Sequence, residues 1–171
     1  RQATFTLGTI ESFSESAARN RSSGSNQVVY FKALTANRAL CEITGFAVGT
    51  PLYYLQRLHF MDGRALILNH SYFRQDVAQG LTPEIASGSI YRYLEQTLHV
   101  SIINSKRVVT VEKATGLDRK YLDLGDMDCL AVVSSQTYNS DGVMFEYTQS
   151  RHHPGFFRFQ DNAVRRSGAL G

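Results

Sequence analysis

Two places in this sequence set an Asp-Gly pair between runs of β-forming residues, and nothing else in the chain restricts the fold as tightly. At Met61-Asp62-Gly63-Arg64 the flanking runs are 52–60 and 65–73. At Asn139-Ser140-Asp141-Gly142 they are 130–138 and 143–150. Glycine accepts the positive φ that a tight hairpin turn demands, so both read as β-hairpins. Strands joined by a turn this short must be antiparallel neighbours, because a parallel pair needs a crossover of a dozen or more residues. A doubly wound parallel sheet is therefore excluded.

The remaining segments fill in around the hairpins. Gln27 to Leu34 reads as a strand, preceded by a flexible loop at Ser22-Ser23-Gly24-Ser25-Asn26. A short helix over 36–43 ends at Gly45. Thr82-Pro83-Glu84 places a cap, a proline and an acid at a helix start. Ser89 precedes Ile90, Leu94 and Leu98, an apolar face at four-residue spacing. Val100 to Glu112 is β-rich again, Thr115 to Leu122 reads as a capped helix, and 156–159 makes a last short strand. The sum is α+β: an antiparallel sheet of about six strands with inserted helices.

The chain has 171 residues, 43% hydrophobic and 19% charged, enough for one domain with a real core. No apolar run approaches the roughly 20 residues a membrane helix needs, so no membrane partner is expected. The start Arg1-Gln2-Ala3-Thr4 has neither Met nor a signal-peptide core, which suggests a piece of a longer protein. The net charge of +3 is scattered, with no basic arm for nucleic acid. Cys41 and Cys129 lie in apolar surroundings and read as buried free thiols, which favours a cytoplasmic location.

Catalytic and metal signatures are missing. The five histidines form no H-x-x-x-H, and there is no C-x-x-C, G-x-S-x-G, P-loop or G-x-G-x-x-G. No catalytic residue, metal or cofactor is assigned, and a binding domain is favoured over an enzyme. Arg57 and His59 stand at i and i+2 of one strand, so both side chains leave the same face. They either join Leu55 in a solvent-facing row or line an anion site. Ser89 and Ser14 each stand at a helix start, where a hydroxyl either caps the helix or helps to hold an oxyanion.

Four segments resemble the UTRA domain, the effector-binding half of GntR-type regulators of the HutC subfamily. They are Thr9-Ile10-Glu11-Ser12-Phe13-Ser14-Glu15, Arg57-Leu58-His59-Phe60-Met61-Asp62-Gly63, Gly88-Ser89-Ile90-Tyr91-Arg92-Tyr93-Leu94 and Phe145-Glu146-Tyr147-Thr148-Gln149-Ser150-Arg151, the last continuing to Phe157-Arg158-Phe159. Their order and spacing cover nearly the whole chain. The C-terminal run, including Tyr147, Thr148, Arg151, His152, Arg158 and Asp161, is most similar to the branch that represses trehalose operons.

The resemblance implies a chorismate lyase-like fold and a sugar phosphate effector, foremost trehalose 6-phosphate. Glucosamine 6-phosphate, N-acetylglucosamine 6-phosphate, a carboxylate effector and a lyase-like enzyme are the alternatives. Carried over position by position, it implies a phosphate site of Ser14, Arg57, His59, Ser89 and His99. The sugar would meet Phe13, Tyr72, Glu146 and His152. Where the family has arginine and an aromatic residue, this sequence has His59 and His152. A phosphate dianion suits a bidentate Arg57 and a protonated His59, so binding is expected to weaken above neutral pH. The resemblance further implies a homodimer whose pairing spaces two winged helix-turn-helix heads on operator DNA, the heads preceding residue 1. The loop 14–26 would be the element that effector orders.

Overall fold

The computed structural model describes residues 24–168 and the backbone of residues 3–6. In chain order the elements are β1 (Ala3–Thr6), β2 (Gly24–Thr35), α1 (Arg38–Thr44), β3 (Pro51–Met61) and β4 (Arg64–Arg74). Then come α2 (Pro83–Ala86), α3 (Ile90–Arg92, running on as a π-helical turn over Tyr93–Thr97), β5 (Ile102–Lys113) and α4 (Gly116–Tyr121). The chain ends with β6 (Cys129–Asn139), β7 (Met144–His152), a 3-10 turn at Pro154–Phe156 and β8 (Phe157–Gln160).

Six strands form one antiparallel sheet in the order β2-β3-β4-β7-β6-β5. Both expected hairpins are present, as β3–β4 and β6–β7. At the first turn Asp62 and Gly63 take φ of 52° and 79°, the left-handed pair that a two-residue hairpin requires. A second, two-stranded sheet pairs β1 with β8 in parallel. The loop expected at 22–26 is corrected in its second half. Gly24, Ser25 and Asn26 are strand residues, because β3 runs long enough to give each a partner: Met61, Phe60 and His59.

The helices cover both faces of the sheet. On one face α2 and α3 bring Ala86, Ile90 and Leu94 against Leu55 and Phe73, all deeply buried. On the other, α4 brings Leu122, with Leu117 and Tyr121 at its edge, against Leu58, Leu68, Leu130 and Val132. There α1 and the segment after it cover Leu52 and Tyr147 with Leu40 and Phe46.

Local chemistry fixes the helix ends. Asn37, Thr82 and Ser89 each accept a backbone N–H, and Thr115 and Asp118 form a reciprocal capping box. Gly45 ends α1 at φ 87°, and a Cβ there would stand 2.7 Å from Gln136 Nε2. Among the described residues no helix is long and apolar enough to cross a membrane. Cys41 and Cys129 are free but only half-buried, so their expected full burial is corrected: Cys41 lies mid-way along a short surface helix and Cys129 at the first residue of β6.

Candidate ligand-binding site

Directly paired residues in a sheet project to the same face, so the register assembles the site before any side chain is considered. One row runs Tyr53, Phe73, Glu146, Thr137, Ser105 across β3, β4, β7, β6 and β5. The next runs Leu55, Ser71, Thr148, Ser135, Arg107. The third runs Arg57, Asn69, Ser150, Val133, and the fourth His59, Ile67, His152, Ala131. The face is apolar where α2 and α3 press on Leu55 and Phe73, and polar beyond. Arg57 and His59 thus continue a row whose Leu55 is fully buried, so the solvent-facing alternative fails.

Glu146 stands at the centre of the polar region, 5% exposed. Tyr91, from α3, donates its hydroxyl to Oε1 at 2.7 Å, and Thr148 donates to Oε2 at 2.6 Å. Ser71 Oγ lies 2.9 Å from Thr148 Oγ1 and extends the network to β4. Burial pushes the Glu146 carboxyl above its ordinary range. The two hydroxyls and the charges of Arg57 and Arg107 pull it back. Burial beside this carboxylate raises the Tyr91 phenol well above 10, so Tyr91 remains a donor.

Arg57 lies beside this centre. Burial lowers its pKa while Glu146 and Tyr91 act to raise it, and a guanidinium stays charged under such a shift. Its Nε is enclosed with no hydrogen-bond partner, as is Oδ1 of Asn69, its neighbour across the β3–β4 pair. Buried polar atoms are nearly always satisfied, so orphans on one face mark a place built for something else. The opposite wall comes from the loop before α3. Asn26, paired with His59 across β2–β3, donates from Nδ2 to the Gly88 carbonyl at 3.3 Å, which ties the residue before Ser89 to the β2 edge of this face. Ser89 Oγ accepts from Arg92 N as an ordinary cap and keeps its own proton to donate.

His59 is 1% exposed, and Asn69 Nδ2 lies 2.8 Å from its Nε2. With its amide nitrogen toward the ring, Asn69 donates and Nε2 accepts, an arrangement that suits a neutral imidazole. Burial is the main cause holding its pKa well below 6.5, and the positive charge of Arg57 and the proximity of His152 add to it. The expected cationic His59 is corrected for the free chain on this ground. His152 is 3% exposed, leans on the Phe157 ring at 5.1 Å, and is brought down to about 3 by burial.

The sheet therefore brings together Arg57, His59, Glu146 and His152, and Ser89 starts the helix whose Tyr91 reaches Glu146. Two expected residues fall elsewhere. Tyr72 pairs with Tyr54 and Tyr147, one position out of phase with Asn69 and Ser71, so its ring is on the far face, 4.6 Å from that of Tyr54. His99 is exposed at φ 55°, beyond the last turn of α3. The eight helical residues 90–97 separate it from Ser89, roughly 12 Å. Phe13 and Ser14 lie outside the described residues. Tyr91, Asn69 and Arg107 were not expected. Tyr91 and Asn69 carried a signal, being two residues after Ser89 and opposite Arg57 across the first hairpin. Arg107 needed a register spanning five strands. Among the described residues no group of His, Cys, Asp or Glu could hold a metal ion.

Three comparisons place this geometry among known proteins. The family model described as the UTRA domain matches residues 20–158. The HTH-type transcriptional regulator TreR of Bacillus subtilis (strain 168) is 39% identical over 105 residues, 61% of this chain and 44% of that protein. GmuR, an HTH-type transcriptional regulator of the same organism, is 26% identical over 117 residues, 68% of this chain and 49% of its own. The chain thus spans less than half the length of either. The solved effector binding domain of the B. subtilis trehalose repressor (TreR) superposes with a TM-score of 0.74 at 31% identity, over 84% of this chain and 99% of that one. The gene product SA0254 from Staphylococcus aureus reaches a TM-score of 0.81 at 23% identity, over 96% and 100%, a likeness of fold.

Proposed function

The chain belongs to the UTRA domain family, and from that premise we propose that it is the effector-binding and dimerising part of a bacterial GntR-type transcriptional repressor of the HutC subfamily, responsive to trehalose 6-phosphate. The observation that carries the reading is Arg57: a buried guanidinium with an orphaned Nε, beside the carboxylate of Glu146 and the phenol of Tyr91. A guanidinium fork matches a phosphate bidentately, and Ser89 adds a neutral donor. Glu146, with both oxygens already held by hydroxyls, presents its remaining lone pairs to sugar hydroxyls. Asn69 Oδ1 is a further acceptor, and His59 supplies a neutral ring N–H. The similarity to TreR, whose solved domain is described as that of a trehalose repressor, supports trehalose 6-phosphate over other sugar phosphates.

The ligand would be held between two bodies. Arg57, His59, Asn69 and Glu146 belong to the sheet, whereas Ser89 and Tyr91 come from α3 and its leading loop. Effector therefore favours the arrangement in which α3 lies closest to the sheet. It changes operator affinity only as far as it binds that arrangement better than the other. Two copies pairing through this domain would set the spacing of DNA-binding heads attached to it, in the cytoplasm.

Titration calorimetry with trehalose 6-phosphate, glucosamine 6-phosphate and unphosphorylated trehalose tests this. We expect trehalose 6-phosphate to bind most tightly and Arg57→Ala to weaken it by about tenfold to a hundredfold, the loss of charge-assisted hydrogen bonds. The sugar should be recovered unchanged after incubation. Preference for glucosamine 6-phosphate would move the pathway, and no heat with any of them would overturn the sugar phosphate.

A further inference from the structure

The polar face does not end at Glu146. It continues over β6 and β5 through Thr137, Ser135, Ser105 and Arg107, to which the phosphate and first ring were given no direct contact. Thr137 is 1% exposed and donates its hydroxyl to Ser105 Oγ at 3.1 Å. Ser135 Oγ lies 3.4 Å from the Thr148 carbonyl oxygen. Arg107 shares the row of Ser71, Thr148 and Ser135, and it is half-buried although β5 is an edge strand. A cation aimed inward from an edge strand is unusual; Lys106 and Lys113 on the same strand are exposed. Its charge is felt at both Glu146 and Tyr91. Glu146 is therefore bracketed by two guanidinium groups, Arg57 from β3 and Arg107 from β5, each two strands away from β7.

We propose that Arg107, with Ser105, Ser135 and Thr137, forms a second hydroxyl-binding subsite, so that the sheet takes a disaccharide phosphate lengthwise, phosphate over β3 and distal sugar over β5 and β6. The inference rests on the sugar phosphate reading above and adds which size of sugar the site is built for. The distance allows it: β3 and β5 are four strand spacings apart, roughly 19 Å between backbones, and both arginine side chains reach inward. A monosaccharide phosphate anchored at Arg57 reaches Glu146 and leaves the far row without a ligand. The distal ring offers only neutral hydroxyls, which suits three hydroxyls and one fork of N–H donors set on two adjacent rows.

The experiment compares trehalose 6-phosphate with glucose 6-phosphate, which share phosphate and first ring, on the wild-type chain, Arg107→Met and Ser135→Ala. Thermal melts first establish that each variant folds; Ser135→Ala carries the test if Arg107→Met does not. Wild-type protein should prefer the disaccharide by about tenfold or more, and Arg107→Met should erase that preference by weakening trehalose 6-phosphate about tenfold more than glucose 6-phosphate. Ser135→Ala should reduce the preference by a smaller factor. Equal losses for both ligands would mean that Arg107 acts only by neutralising Glu146, and would overturn the subsite. So would a preference that survives Arg107→Met, or wild-type protein that binds both ligands equally. Wild-type protein that binds neither ligand would bring down the sugar phosphate reading and the subsite with it.

Discussion

His59 occupies a place where an arginine would be a permanent cation, and burial between Arg57 and His152 keeps it neutral. A neutral ring cannot lose charge as pH rises, so the domain's own contribution to phosphate binding stays constant above pH 6. What changes is the ligand, whose second phosphate ionisation falls at about pH 6. Affinity for trehalose 6-phosphate should therefore climb between about pH 5 and 7 and then stay level. Calorimetry across that range checks it, and a fall above pH 7 would show a cationic histidine in the complex. His59→Arg should strengthen phosphate binding at every pH, provided that the second guanidinium can be accommodated beside Arg57.

At the scale of elements, the joint between α4 and β7 rests on one acid. Asp118, 0% exposed, accepts the Thr115 backbone N–H and holds Arg151 through Nε at 2.9 Å and Nη2 at 3.0 Å. Burial alone would raise its pKa, but Arg151 and the Thr115 N–H outweigh that and leave it below the ordinary carboxylate value. Asp118→Ala removes a helix cap and the shortest partner of a guanidinium that is 5% exposed, leaving it Glu112 at 3.3 Å and Gln149 at 3.2 Å. The expected loss is about 3–5 kcal/mol, a fall in Tm of roughly 10 °C, read by thermal melting. This pair was not legible in the sequence, because its partners are 33 residues apart and meet only through the fold. The hairpins were legible, since turn chemistry is local to four residues, and so were the caps at Thr82, Ser89 and Thr115. Tyr72 shows how thin the margin is. A strand reverses its faces at each residue, and assigning a ligand role without the register carries even odds of choosing the wrong face. His99, carried over from the family pattern as a basic residue just after the helix, does stand there and is exposed, and sequence alone could not say how far that leaves it from Ser89. Arg107 needed the opposite kind of knowledge, a register summed over five strands.

At the scale of the molecule, the two histidines on the binding face make folding sensitive to mild acid. Both have folded pKa values below the unfolded 6.5, His152 at about 3. The unfolded chain therefore takes up protons that the folded one refuses, and stability is lost as pH falls below 6.5. The slope is about 1.4 kcal/mol per pH unit for each histidine. His70 and His153 are lowered in the same direction, whereas Glu146, raised by burial, partly offsets them at the acid end. Urea unfolding at pH 7.0, 6.0 and 5.0 should show the decline, and His152→Gln should reduce its slope by one proton. An unchanged slope would mean that His152 is not held neutral in the folded state.

The parallel pairing of β1 with β8 has a mechanical consequence. β8 begins five residues after His152, whose ring touches Phe157, the residue that pairs with Ala3. The first and last strands of the chain are thus zipped side by side over four residue pairs, immediately downstream of a wall of the binding face. A pull on the N-terminal end along its strand would load those four pairs together, in shear rather than one after another. Traction applied there is passed through the Phe157 backbone to the ring that leans on His152. The N-terminal end of the chain is accordingly coupled to the pocket by a short, stiff tether instead of a slack leash.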